Sequence, residues 1–162
     1  MAALGLSTFT EVLGGLFRGD LKEGISRANY DTFIKEFFPK PYAAVNSRLR
    51  QDRLKGLYGA VRCGLVHEYL LQKNFIVVPN SRDELDCGIV YAPKNGKKEY
   101  ELKFVVDQYF EDFKHAFNKY YGRVKSEPYL VAKLECALNT IDSPLPRRSK
   151  KFRSGKDSFV IP

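Results

Sequence analysis

The apolar residues of this chain change period twice. They recur every three to four positions at both ends, and in the middle they shift to β-branched runs and alternation. Helical spacing builds one buried stripe on a helix, whereas period two builds one buried face on a strand. The pattern predicts a mainly α fold, an up-and-down helical bundle with a small antiparallel β-hairpin inserted between its central and late helices. At 162 residues the chain has the length of one domain, with a sizeable core. Residues 1–143 are read as that domain, with the hairpin at about 88–106, and residues 144–162 as a basic C-terminal tail.

Helices are expected over Thr8–Phe17 and Tyr30–Phe38, the latter stopped by Pro39 and Pro41, with a helical pattern resuming at Tyr42. Leu54, Leu57, Tyr58, Val61 and Leu65 then form one stripe, the expected main core helix. Phe75–Val78 and Gly88–Ala92 are short β-branched runs. Asn95-Gly96 favours a two-residue hairpin turn into a returning strand that alternates Tyr100, Leu102, Phe104 and Val106 with Glu101, Lys103 and Val105. After Asp107, read as an N-cap, Phe110, Phe113, Phe117, Tyr120, Tyr121 and Val124 are spaced as a buried face. Pro128 opens a last helix carrying Leu130, Val131, Leu134, Ala137 and Leu138, before Ser143-Pro144-Leu145-Pro146 ends regular structure.

No apolar run reaches the 18 to 20 residues of a membrane-spanning helix. The N-terminus lacks a basic region and a cleavage site of secretory type. Cys63, Cys87 and Cys136 are too scattered for a disulfide scaffold, so a reducing, cytoplasmic setting and no membrane partner are expected. The net charge is +8, of which +5 lies in the last 16 residues, leaving about +3 for the body. Arg147, Arg148, Lys150, Lys151 and Arg153 are therefore the candidate nucleic-acid contacts, against the plainer reading of a solubilising tail.

Phosphate-loop, serine-hydrolase, zincin and dinucleotide motifs are missing, and no cofactor is expected. With His67 and His115 as the only histidines, a histidine-rich metal site is excluded. Glu111, Asp112 and His115 are the best metal candidates by spacing, but they read better as a solvated polar face opposite the aromatic stripe. The segment Leu57–Gln72, LYGAVRCGLVHEYLLQ, places Arg62 and His67 five positions apart, about 140° around one continuous helix. A helix break near Gly64 or a second subunit is needed to bring the two together.

VRCGLVHEYLL resembles the arginine-x4-histidine signature of the HEPN superfamily (higher eukaryote and prokaryote nucleotide-binding domains), with LYGA before it and helices on both sides. The resemblance implies a bundle that dimerises about its motif helix and pools Arg62 and His67 from two chains. In many members that site is a metal-independent ribonuclease. His67 would move the proton of an RNA 2′-hydroxyl or of the leaving 5′-oxygen, and Arg62 would hold the phosphate. Active members usually carry a polar residue directly after the arginine, and here that position is Cys63. The alternative is a non-catalytic HEPN-like binding or scaffold module for nucleic acid or a partner protein, as in bacterial defence or toxin–antitoxin systems.

Overall fold

A computed structural model describes residues 2–22, 24–51, 56–67, 75–81, 85–93 and 100–142, the side chains of 66, 67, 141 and 142 excepted. The expected turn at Asn95-Gly96 and the basic tail with Arg147, Arg148, Lys150, Lys151 and Arg153 lie outside those residues. The elements are α1 (Ala2–Arg18), α2 (Ser26–Phe37), α3 (Lys40–Gln51), a π-helical turn (Tyr58–Cys63), α4 (Gly64–His67), β1 (Phe75–Val78), β2 (Ile89–Pro93), β3 (Tyr100–Val105), α5 (Val106–Ser126) and α6 (Pro128–Asp142). The fold is mainly α with an inserted antiparallel hairpin, as the change of period predicts.

Local chemistry sets the boundaries. Helix α1 is longer than the Thr8–Phe17 stretch expected for it, and it stops where Gly19 adopts φ +81°. The Gly19 and Asp20 amides then both donate to the Gly15 carbonyl, satisfying an end that a side chain with a Cβ would strain. Helix α2 ends because Phe38, preceding Pro39, is forced into the extended region. Pro41 stops nothing; it sits in the first turn of α3, where its missing N–H costs no bond.

The sheet is larger than the expected hairpin. β2 pairs antiparallel with β3, from Ile89 opposite Phe104 to Pro93 opposite Tyr100. Phe75–Val78 joins as a third strand, parallel to β3, with Phe75 opposite Leu102, and the order is β1-β3-β2. β3 ends one residue earlier than its alternation suggests. Val106 already belongs to α5, and Asp107 lies inside the first turn instead of capping it.

Phe33, Phe37, Phe38, Tyr42, Phe104, Tyr109 and Tyr120 fill the core, mostly in edge-to-face contacts. Helix α5 turns only part of the expected face toward it: Tyr120 is buried and Phe113 and Val124 pack partly against the core. Tyr109, Asp112, Ala116 and Tyr120 are buried at i, i+3, i+7 and i+11, while Phe110, Phe117 and Tyr121 stand exposed. The Tyr109 hydroxyl and the Asp112 carboxylate on the inward face find partners in the core, which period alone cannot reveal. In α6, Leu130 and Ala137 are buried, but Val131 and Leu138 of the expected stripe are exposed. Among the described residues, no helix is long and apolar enough to cross a membrane.

Candidate functional site at the Arg62 helix

Gly56 enters with φ +73°, and from Leu57 to His67 the backbone is helical without interruption. Leu57 and Val61 are fully buried, Tyr58 and Leu65 partly so, and Leu54 lies outside the described residues. Gly64 does not break the helix, since its φ and ψ of −58° and −44° are helical. The irregularity lies one turn earlier, where Tyr58–Cys63 is π-helical. A π turn spaces its hydrogen bonds at i to i+5 and shifts every later residue relative to a regular stripe. Asn46 Oδ1 accepts a bond from the Leu57 amide at 2.8 Å, fixing the entry to this turn.

Arg62 leaves the π turn toward α1. Its Nε donates to Glu11 Oε2 at 2.8 Å, and the two side chains are 22% and 14% exposed. A salt bridge this far from water is stronger than a surface pair and compensates most of the guanidinium's charge. Beside it, burial first and the Glu11 charge second push the Tyr58 phenol above its ordinary pKa. Tyr58 packs edge-on against Tyr30 at 5.8 Å. His67 closes α4, and since residues 62 to 67 follow one helical path, its backbone position lies on a different side from Arg62. The described residues thus join Arg62 to Glu11. They do not join Arg62 to His67, whose side chain lies outside the described residues. Cys63 is a partly exposed free thiol, and Cys87 and Cys136 are free as well.

A second polar assembly is largely internal, and the spacing of residues did not foretell it. Tyr42 of α3 donates to Asp112 Oδ2 of α5 at 2.7 Å. The Gly88 amide bridges the same oxygen at 3.1 Å and the Tyr42 hydroxyl at 2.9 Å, while Gln108 Nε2 donates to Oδ1 at 3.2 Å. One turn away, Thr10 spends its hydrogen on the Leu6 carbonyl, so Tyr109 donates to Thr10 and Tyr30 to Tyr109. These groups tie helices together: Tyr42, Asp112, Tyr109, Tyr30 and Thr10 are buried, while Gln108 is partly exposed.

Of the three metal candidates Glu111 and His115, four positions apart, share the exposed face expected of them, and Asp112 does not. Asp112 points into the core, Glu111 pairs outward with Lys114 at 2.7 Å, and His115 is exposed. Among the described residues, no group of three or more His, Cys, Asp or Glu side chains is placed to hold a metal ion. Glu11 is the site residue that sequence spacing misses, because its partner is 51 positions away and no local pattern couples them. No protein-family model, curated protein or solved structure matches the chain.

Proposed function

We propose that the chain is a HEPN-like protein that cleaves RNA without a metal, at a site formed by Arg62 of one subunit and His67 of another. The π-helical turn on the Arg62 segment carries this reading, because such turns are costly to keep and gather at functional sites. The uninterrupted helix through Gly64 is why two chains are invoked, since one chain leaves the two residues on different sides of the helix. In the reaction, His67 takes the proton of the 2′-hydroxyl as its oxygen bonds to phosphorus. The bond to the 5′-oxygen breaks, that oxygen receives a proton from the symmetry-related, protonated histidine of the dimer, and the products are a 2′,3′-cyclic phosphate and a 5′-hydroxyl. Arg62 steadies the charge that gathers on the phosphate oxygens, a role for which the guanidinium fork is suited.

The Arg62–Glu11 pair favours a second reading. A guanidinium already compensated by a carboxylate attracts phosphate weakly, and Glu11 itself repels an anion. In this reading Arg62 braces the π turn against α1, and the chain is a non-catalytic HEPN-like module that binds RNA or a partner protein. RNA incubation in EDTA decides between them. The ribonuclease reading expects cyclic-phosphate ends from the wild type, and a loss of about 10² to 10⁴-fold in His67→Ala. Arg62→Lys should lose most of the activity too, because lysine lacks the bidentate fork. A folded wild type that leaves structured and unstructured RNAs intact moves the assignment to the binding module.

A further inference from the structure

We infer that the outward face of α5 is a track for single-stranded RNA. The choice of RNA over other polyanions rests on the proposed function; the track itself rests on a separate set of side chains. Phe110, Lys114, Phe117, Tyr121 and Lys125 follow one another at intervals of three or four, which makes a straight line on a helix about 22 Å long. Phe110, Phe117 and Tyr121 are 45%, 41% and 52% exposed. The core does not need these rings, since α5 packs inward through Tyr109, Ala116 and Tyr120.

Two properties of the line select the ligand. The first is the alternation of flat apolar rings with cations. Lys114 Nζ lies 5.0 Å from the Phe110 ring centre and Lys125 Nζ 4.7 Å from that of Tyr121, while the Phe117 and Tyr121 rings are parallel at 6.2 Å. Unpaired bases stack on such rings and phosphates meet the ammonium groups, whereas a duplex keeps its base faces covered. Lys114 is already paired with Glu111 at 2.7 Å, an exposed pair that a phosphate would have to displace, so Lys125 is the cation on which the charge of the line chiefly rests. The second is an apolar hollow of about 320 Å³ alongside, lined by Phe9, Val12 and Leu13 of α1 with Phe113 and Phe117. It suits an aromatic base at the edge of the track. A second copy of the chain fits less well, because lysine is depleted from the centres of protein interfaces.

The test is fluorescence anisotropy with a labelled 2′-O-methyl uridine oligomer, which lacks the hydroxyl needed for cleavage and so reports binding alone. Phe117→Leu keeps an apolar side chain but removes the ring. It should keep the wild-type melting temperature and weaken binding roughly 5- to 100-fold, the range expected for one lost stacking contact. Replacing Lys125 by Ala should reduce the slope of log affinity against log salt by about 0.7, one single-strand phosphate contact, and replacing Lys114, already paired with Glu111, by less. No binding by the wild type, or undiminished binding by both Phe117→Leu and Lys125→Ala, overturns the track. A Phe117→Leu protein that loses a dimer in light scattering while keeping its RNA affinity assigns the face to a second copy instead. Cleavage that depends on Arg62 with a silent α5 face would sink the track alone; binding through α5 with no cleavage would sink the ribonuclease reading alone.

Discussion

The Tyr42 hydroxyl donates to Asp112 Oδ2 at 2.7 Å, so a carboxylate buried on the inner face of α5 is answered from α3. The Gly88 amide at the mouth of β2 shares that oxygen. Three elements distant in sequence are thereby held at one point. Asp112→Ala leaves the Gln108 amide and part of the Gly88 and Tyr42 donors without an acceptor, each buried loss costing about 1 to 3 kcal/mol. Urea unfolding should show Asp112→Ala less stable by roughly 2 to 4 kcal/mol, and Asp112→Asn, which keeps one acceptor, less affected. An Ala variant as stable as wild type would remove the pin from the account of the core.

Gly14 in α1 faces α2 so closely that a Cβ there would overlap the Asn29 carbonyl. In a free helix Gly→Ala gains about 1 kcal/mol. Here the overlap with backbone reverses the sign. Gly14→Ala should lose about 2 kcal/mol or more in thermal or urea unfolding, whereas Gly5→Ala, with open space around its Cβ position, should be neutral to stabilising.

Burial raises the phenol of Tyr30 to about 12 and pushes those of Tyr42 and Tyr109 up as well. An unfolded tyrosine gives up its proton near 10, so above that pH the unfolded chain holds fewer protons than the native one and stability falls as pH rises. Each such tyrosine contributes about 1.4 kcal/mol per pH unit. The three together should produce a loss of about 4 kcal/mol per unit between pH 10 and pH 12, with little change attributable to them below pH 9. Because the chain has ten tyrosines, the absorbance of these three is read by difference against their Tyr→Phe variants, and that share should rise only as the circular dichroism falls. Ionisation of Tyr30, Tyr42 and Tyr109 in a chain still folded would refute it.

The Arg62–Glu11 pair is shielded enough to be measurable. A double-mutant cycle with Arg62→Ala and Glu11→Ala should yield a coupling of about 1 to 2 kcal/mol, above the 0.2 to 1 of an exposed pair. Coupling near zero would mean that α1 does not hold the π turn through this bridge.

Much of the architecture was legible in the residues, since the change of period separates helices from strands and Pro39 marks the α2 end. What spacing could not convey was which aromatic face of α5 turns inward. Phe110, Phe117 and Tyr121 have the hydrophobic pattern of a core, yet Tyr109 and Asp112 are buried instead, because Tyr30 and Thr10 lie within reach of Tyr109, and Tyr42 and Gly88 within reach of Asp112. Polar partners brought together from distant segments leave no local trace. The same holds at the motif. Arg62 can be picked out in the sequence, but Glu11 cannot, and neither can a π turn that depends on how Leu57 and Val61 pack. β1 was recognisable as a strand, but its parallel pairing had no turn signal to announce it.

That pairing also bears on how the chain acquires its shape. The antiparallel partners β2 and β3 are neighbours along the chain, whereas Phe75 meets Leu102 only after 27 further residues. Contacts between distant segments close slowly because a longer loop must be ordered before any bond rewards it. As the polypeptide leaves the ribosome, β1 emerges first and must wait for the strand it depends on. It behaves as a clasp that should shut after the β2–β3 pair and before the contacts between α1 and α5, where Thr10 meets Tyr109 from 99 positions away.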